Sequence, residues 1–390
     1  MSNSIAQDTN KKSSLSEKLG FDFKSYSTLI ALIVLFIVLA IVTDGGFLGA
    51  RNFTNLTRQI SVNAILAVGM TLVILTAGID LSVGSVVAFS GVVAGLLQVH
   101  GGLADMGAMG AAISVVACLG TGLLCGFING GLISVFKIPP FVITLGMMVI
   151  ARGIALIVSN SQAISPMSPS FKWIAKGYIS PTFTGLIFAA ALFFWVKSCI
   201  KRAKAGQRSK MALTFAFVIE ALCLGFPLYC FIGHKGLPLP TMILIMVAGI
   251  GIFVLRRLPF GRYIFAIGGN EEAAVLSGIA VTKIKWAVYA IIGLLSGLCG
   301  VILTARLNSA TPTEGNLMEL DAIAAVVIGG TSLMGGSGSI VGSIIGAFLI
   351  GTLNNGMDLL DINSNYQMVI KGLIIIFAVW SDARAKKKAV

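Results

Sequence analysis

The sequence has little charge and almost no histidine. Asp, Glu, Lys and Arg make up 11% of its 390 residues, hydrophobic residues 56%, and the mean hydropathy is +0.95. Ordinary soluble domains carry about 25% charged residues. So little charge excludes a soluble globular protein, because no such protein buries that much apolar surface. The two histidines, His100 and His234, make neither a metal site nor a catalytic triad. No HExxH, GxSxG or GxxxxGK[ST] pattern occurs, which removes metalloprotease, serine-hydrolase and phosphate-loop chemistry. None of the six cysteines forms a CxxC pair, so buried thiols are expected in place of a metal or redox site. The chain is expected not to be an enzyme and to hold no cofactor or metal.

What remains is a series of apolar runs at membrane length, about 20 residues. They lie near 27–43, 60–78, 82–99, 108–136, 140–158, 182–200, 211–233, 238–255, 286–305, 320–333, 339–357 and 366–381. The expected fold is an all-α polytopic membrane protein. It has about ten core spans, plus two extra ones at 182–233. The run at 320–333 is short and ends in glycine, as a half-helix would. The run at 108–136 is long enough to be tilted or broken. Glycine, at 46 residues, suits close helix packing in lipid.

The formal net charge is +13. In a membrane protein this excess sets orientation and does not signal nucleic acid. Residues 197–210 hold six Lys and Arg, 256–262 hold three, and the chain ends DARAKKKAV. The alternate loops are poorer, so 1–26, 197–210, 256–285 and 382–390 are expected in the cytoplasm, with both termini. Residues 159–181, 234–237 and 306–319 are expected to face outward. The polar start lacks an apolar signal-peptide region and reads as a cytoplasmic tail over 1–26.

The sequence repeats itself. Val-Ile-Leu-Thr-Ala stands at 73–77 and at 301–305, an offset of 228 that also pairs Gly69 with Gly297 and Gly101-Gly102 with Gly329-Gly330. GFINGGL at 126–132 resembles GTLNNGM at 351–357, offset 225. On this topology the repeats, about 51–158 and 279–381, run in opposite directions across the membrane. Inverted repeats are a transporter architecture, with the path at their interface.

Polar groups within apolar sequence are candidates for that path. Asp80, in TAGIDLSVGSV, stands beside Ser82 and Gly84. It reads either as an N-cap taking bonds from the backbone of Ser82 and Val83 or as a gate. Asn129 and Asn354 read as interhelical hydrogen-bonding groups or as substrate contacts. Asp321 opens the short run as a possible cap, and Gly329-Gly330 begin a glycine-serine reversal over 329–338. Arg152 and Glu220 lie inside spans and need a cavity or a charge, each other included.

Between two spans lies RYIFAIGGNEEAAVLSGI (262–279). It has glycines, but no Lys-Ser/Thr follows them. Together with TAGIDLSVGSV and LDAIAAVVIGGTSLMGGSGSIVGSIIGA (320–347), it resembles the permease subunit of ribose/xylose-type sugar ABC importers over about 45–380. The resemblance implies a homodimeric permease of the bacterial inner membrane, a separate cytoplasmic ATPase and an extracytoplasmic sugar-binding protein. The two extra spans and TDGGFLGARNFTNL (43–56) are most similar to the D-xylose branch. The resemblance further implies that 256–285 is the ATPase-coupling loop. There Gly268 and Gly269 set a turn, and Asn270 caps a short helix. Glu271 and Glu272 form its first turn, Ala273 and Ala274 allow close approach, and Ser277-Gly278 end it. Two alternatives stand beside this. One is an ABC permease for another sugar, a nucleoside or a branched-chain amino acid. The other is an ion-coupled transporter, for which Asp80 and Glu220 are the only midplane acids.

Overall fold

The computed structural model describes residues 23–204 and 210–387. Residues 1–22 of the N-terminal tail, 205–209 of the basic loop and 388–390 of the C-terminal tail lie outside the described residues. The elements are α1 (Phe23–Val42), α2 (Ala50–Leu75), α3 (Val83–Gly95), α4 (Gly107–Val135), α5 (Pro140–Val158), α6 (Pro169–Lys176), α7 (Pro181–Lys204) and α8 (Lys210–Gly233). Then follow α9 (Leu239–Arg257), α10 (Pro259–Gly269), α11 (Glu271–Leu276), α12 (Val281–Leu307), α13 (Met318–Ile328), α14 (Ile340–Leu359) and α15 (Ser364–Lys387). Among the described residues the only sheet is a two-residue antiparallel pair, β1 (Tyr178–Ile179) with β2 (Leu237–Pro238).

Among the described residues, eight helical stretches are long and apolar enough to cross a bilayer. These are α2, α3 with its extension to His100, α4 with the turn before it, α5, α7, α9, α12 and α14. Shorter apolar stretches lie in α1 (Thr28–Val42) and α8 (Glu220–Gly233). The chain is an all-α, multi-pass membrane protein. α4 is a single unbroken helix of 29 residues, and its length needs no break. α13, with 11 residues, spans about 16 Å, half of a bilayer core. It stops where Gly329 and Gly330 follow, Gly330 in the left-handed region.

Packing explains which helices face lipid. α2 is buried along nearly its whole length, whereas α5 and α7 keep large apolar side chains such as Ile150, Ile157, Phe183 and Phe194 outside. The core exchanges partners across the chain. α12 packs chiefly on α4 and α3, while α2 packs on α14 and α13. The α4–α12 contact is backbone on backbone. A Cβ on Gly122 would lie 2.3 Å from the Gly293 carbonyl oxygen, and one on Gly126 would lie 2.2 Å from that of Tyr289. Small residues let helices approach this closely in lipid, where no hydrophobic force drives them together.

α7 and α8 form a peripheral pair, held by the Trp195 indole N–H donating to the Glu220 carboxylate. Arg152 bonds elsewhere, as described below, so the pairing of Arg152 with Glu220 weighed from sequence is not made.

Candidate functional site

Two polar regions carry the predicted residues. The first begins where α2 ends. Ala77 turns left-handed at φ 57°, and the Gly78 N–H returns to the Val73 carbonyl. The chain then reaches Asp80, which is fully buried. Its Oδ1 accepts from the Ser82 N–H (2.8 Å) and from the Ser82 hydroxyl (2.6 Å). Asp80 is therefore not the cap of α3. Ser82 occupies that position, and the carboxylate braces it from two residues upstream. Asn129 of α4, also buried, donates its amide to Ser82 Oγ at 3.0 Å. Asn129 Oδ1 and the Tyr289 hydroxyl are buried without a hydrogen-bond partner, and a Cβ on Gly78 would lie 2.5 Å from that hydroxyl. Tyr289 carries no sequence signal beyond a polar tip in an apolar run.

From here α3 leads to the second region. A Cβ on Gly95 would lie 2.7 Å from Ala310 Cβ, whereas one on Gly84 would lie 2.2 Å from the Gly315 carbonyl oxygen. The two glycines are eleven positions apart along the helix, about 16 Å. The segment 308–317, expected at the surface, thus descends along α3 into the bundle. Charge predicts a loop there, and the glycine contact that admits it has no local signature. Its start is fixed by a two-way backbone bridge between Ile164 and Ala310. The Arg152 guanidinium then donates to the carbonyls of Pro312 and Glu314, the latter at 2.7 Å. At its lower end α13 begins, so the N-termini of α3 and α13 meet near Gly84. Glu319, buried in the first turn of α13, reaches this junction: a Cβ on Gly84 would lie 2.4 Å from its Oε2. Arg152 attracts Glu319 electrostatically.

Asp321 does not cap α13 either. That helix starts at Met318, and the Asp321 carboxylate pairs with Lys371 of α15 at 3.4 Å. Asn354 and Asn129 are not brought together. Asn354 Oδ1 lies buried without a partner, and the neighbouring Asn355 exchanges amide hydrogen bonds with Asn52 of α2, at 3.0 and 3.2 Å. Gly329 sits against the backbone of Gly342, with a Cβ placed 2.3 Å from its carbonyl carbon.

The segment 259–278 folds as two short helices at one end of the bundle. Asn270 caps α11 with its side chain, accepting from the Ala273 N–H at 2.9 Å. Glu271 and Glu272 occupy the first turn, and Glu271 pairs with Lys285 at 2.7 Å. Ala274 is buried against Ile267 and Val281, but Ala273 is exposed. Ser277 closes the helix, and Gly278 at φ 79° reverses the chain, a geometry only glycine adopts freely. The outer face is apolar: Leu276 is 88% and Val275 56% exposed. With Lys137, Pro139, Thr282 and Lys285 they line a groove of about 930 Å³. Among the described residues no cluster of His, Cys, Asp or Glu could hold a metal.

The structure is a polytopic bundle in which the start of α3 abuts the short α13, with α11 exposing Val275 and Leu276 at one end. The family of permease components of the branched-chain amino acid transport system matches residues 52–379, and the chain belongs to that family. It is a transporter subunit, not an enzyme. It is 39% identical to the xylose transport system permease protein XylH of Escherichia coli K12, covering 93% of this chain and 92% of that protein. Against XylH of Haemophilus influenzae the identity is 39%, over 93% and 97% of the two chains. It is 40% identical to the ribose import permease protein RbsC of Escherichia coli K12, over 91% and 92%. No solved structure matches the chain.

Proposed function

We propose that the chain is the permease subunit of an ATP-driven importer for a monosaccharide, D-xylose or a related pentose. It would work as a homodimer in the bacterial inner membrane, with both termini and α11 in the cytoplasm. A cytoplasmic ATPase would dock on α11, and an extracytoplasmic sugar-binding protein would deliver the sugar to the opposite face. Xylose and ribose permeases match about equally, so identity does not choose between pentoses. The choice of xylose rests on the extra pair α7–α8, a layout similar to that branch.

The observation that carries the reading is α11: a capped six-residue helix whose Leu276 and Val275 face outward at the end of a membrane bundle. Exposed apolar side chains beside a groove mark a protein-binding surface. The meeting of α3 and α13 supports a path between two halves. Transporters place substrate sites where broken helices of two repeats meet. Several features support a repeat: Gly126 lies against Tyr289 as Gly351 lies against Ile60, and Gly102 and Gly330 both turn left-handed after their helices. Asp80, Ser82, Gly84, Asn129, Gly329 and Gly330 then border the path.

The test is reconstitution. The chain with its ATPase and sugar-binding protein should take up labelled xylose only with ATP, and Leu276→Glu should lose at least about tenfold of ATPase co-purification while remaining in the membrane. Uptake driven by an ion gradient without ATP would overturn the assignment.

A further inference from the structure

α10 buries Ile264 in the core through its side chain, but its last turn meets the bundle backbone on backbone. Three backbones meet there: the last turn of α10 at Gly268-Gly269, the carbonyl end of α2 at Leu75, and the reversal at Gly335-Gly336 between α13 and α14. The Gly336 N–H donates to the Leu75 carbonyl at 3.1 Å. A Cβ on Gly268 would lie 1.8 Å from that same carbonyl oxygen and 2.4 Å from the Gly336 nitrogen. A Cβ on Gly335 would lie 2.9 Å from the Ala77 nitrogen and from the Gly268 carbonyl oxygen, and one on Gly336 would lie 2.9 Å from the Gly269 backbone. Gly335 and Gly336 are both left-handed, at φ 84° and 71°.

Each backbone is stiff where it arrives. The reversal is closed by Ser332 N–H to Ser337 O (2.9 Å) and Gly335 N–H to Ser332 O (3.0 Å). α2 ends in the locked turn through Ala77, five residues before Ser82. α10 is joined to α11 by the single residue Asn270, whose backbone N–H and side chain both serve the two helices. Backbone in van der Waals contact cannot take up a push by rotamer change, as an interface of long side chains can. Packed contacts of this kind pass displacement on.

We propose that Gly268, Gly335 and Gly336 form the transmission point of the permease, through which movement of α11 reaches both halves of the bundle at once. One branch runs through Leu75–Ser82 to Asp80, Asn129 and the start of α3. The other runs through 331–339 to α13 and α14. This rests on the docking role of α11 given above. These glycines are positioning residues: they touch no substrate, and they set how far the two branches move together.

The experiment compares Gly268→Ala with Leu276→Glu in the reconstituted complex. Gly268→Ala should leave ATPase co-purification within about twofold of wild type and ATP hydrolysis active. Sugar taken up per ATP hydrolysed should fall at least about tenfold. Gly249→Ala on the lipid face of α9, where an added Cβ meets nothing, controls for the loss of a glycine. Retained coupling in Gly268→Ala would overturn the proposal. A failure of Leu276→Glu to weaken assembly would instead overturn the docking role. The unmodified complex gives a second measurement, by hydrogen exchange with ATPase and a non-hydrolysable ATP analogue. Peptides covering α11 and 331–338 should change protection together. A change at α11 with none at 331–338 would also overturn the proposal, even if Gly268→Ala failed to fold.

Discussion

Replacing Arg152 by Met should destabilise the protein through the descending segment, not through α5 itself. Arg152 comes from a helix with a largely lipid-facing surface, yet its guanidinium holds the carbonyls of Pro312 and Glu314 and attracts buried Glu319 electrostatically. Each hydrogen bond to a charged donor contributes about 1.5–3 kcal/mol. Stripping one partner from a buried charge costs about 3–5 kcal/mol, because the other stays behind unpaired. Arg152 is only partly buried, so the lower end applies, about 3 kcal/mol. Met keeps the apolar stem and removes the charge, which separates packing from electrostatics. The assay is a double-mutant cycle, with unfolding free energies in detergent for Arg152→Met, Glu319→Gln and the pair. Coupling of at least about 1 kcal/mol is expected, because Gln at 319 no longer needs the cation. Arg152→Lys should fall between, since one ammonium does not reproduce the planar fork across two carbonyls. If the single changes add within about 0.5 kcal/mol, or Arg152→Met costs less than that, the clamp is not what holds 308–317.

Two further outcomes test the packing. Gly293→Val places carbon against the Gly122 carbonyl, where a Cβ would lie 2.3 Å away, and should cost about 1–3 kcal/mol in thermal unfolding; Gly146→Val on the open face of α5 should be tolerated. Lys371→Met leaves the Asp321 carboxylate, largely buried, without its cation and should be more damaging than Lys371→Met combined with Asp321→Asn, as read from the yield of folded, monodisperse protein.

The membrane class, the places of the helices and the short α13 were legible because hydropathy and glycine placement are local signals. The cap of α11 was legible for the same reason: Asn270, two acids and Gly278 lie within nine residues and their chemistry acts within one helical turn. The cap readings of Asp80 and Asp321 were offset by a residue or more, although Asp80 does take the expected bond from the Ser82 N–H, because helix starts carry no sharp mark in a uniformly apolar stretch. Ser82 took the cap position, and Lys371, fifty residues away, took Asp321. The descent of 308–317 was invisible because it depends on Gly84 meeting Gly315 across more than two hundred residues. The sequence around Gly315 is polar, as a surface loop would also be. Tyr289 was missed because one hydroxyl in an apolar helix looks the same whether it packs or waits for a partner.

The buried acids also bear on how the permease is powered. An ion-coupled transporter needs a carboxylate whose partner is the ion. Here Asp80 is engaged by the N–H and O–H of Ser82, Glu319 is attracted by Arg152, Asp321 pairs with Lys371, and Glu220 accepts from Trp195 on a peripheral helix pair. Each of these four is answered by a protein group, whereas Glu314, in the descending segment, keeps a buried Oε1 without a hydrogen-bond partner. Asp80 also stands just ahead of α3, where the positive end of the helix favours it, and Glu319 lies in the first turn of α13. Asp80 and Glu319 thus stabilise the junction where α3 and the short α13 begin. The proposed ATPase coupling instead assigns the entry of energy to α11, where exposed Leu276 and Val275 offer a surface to another protein.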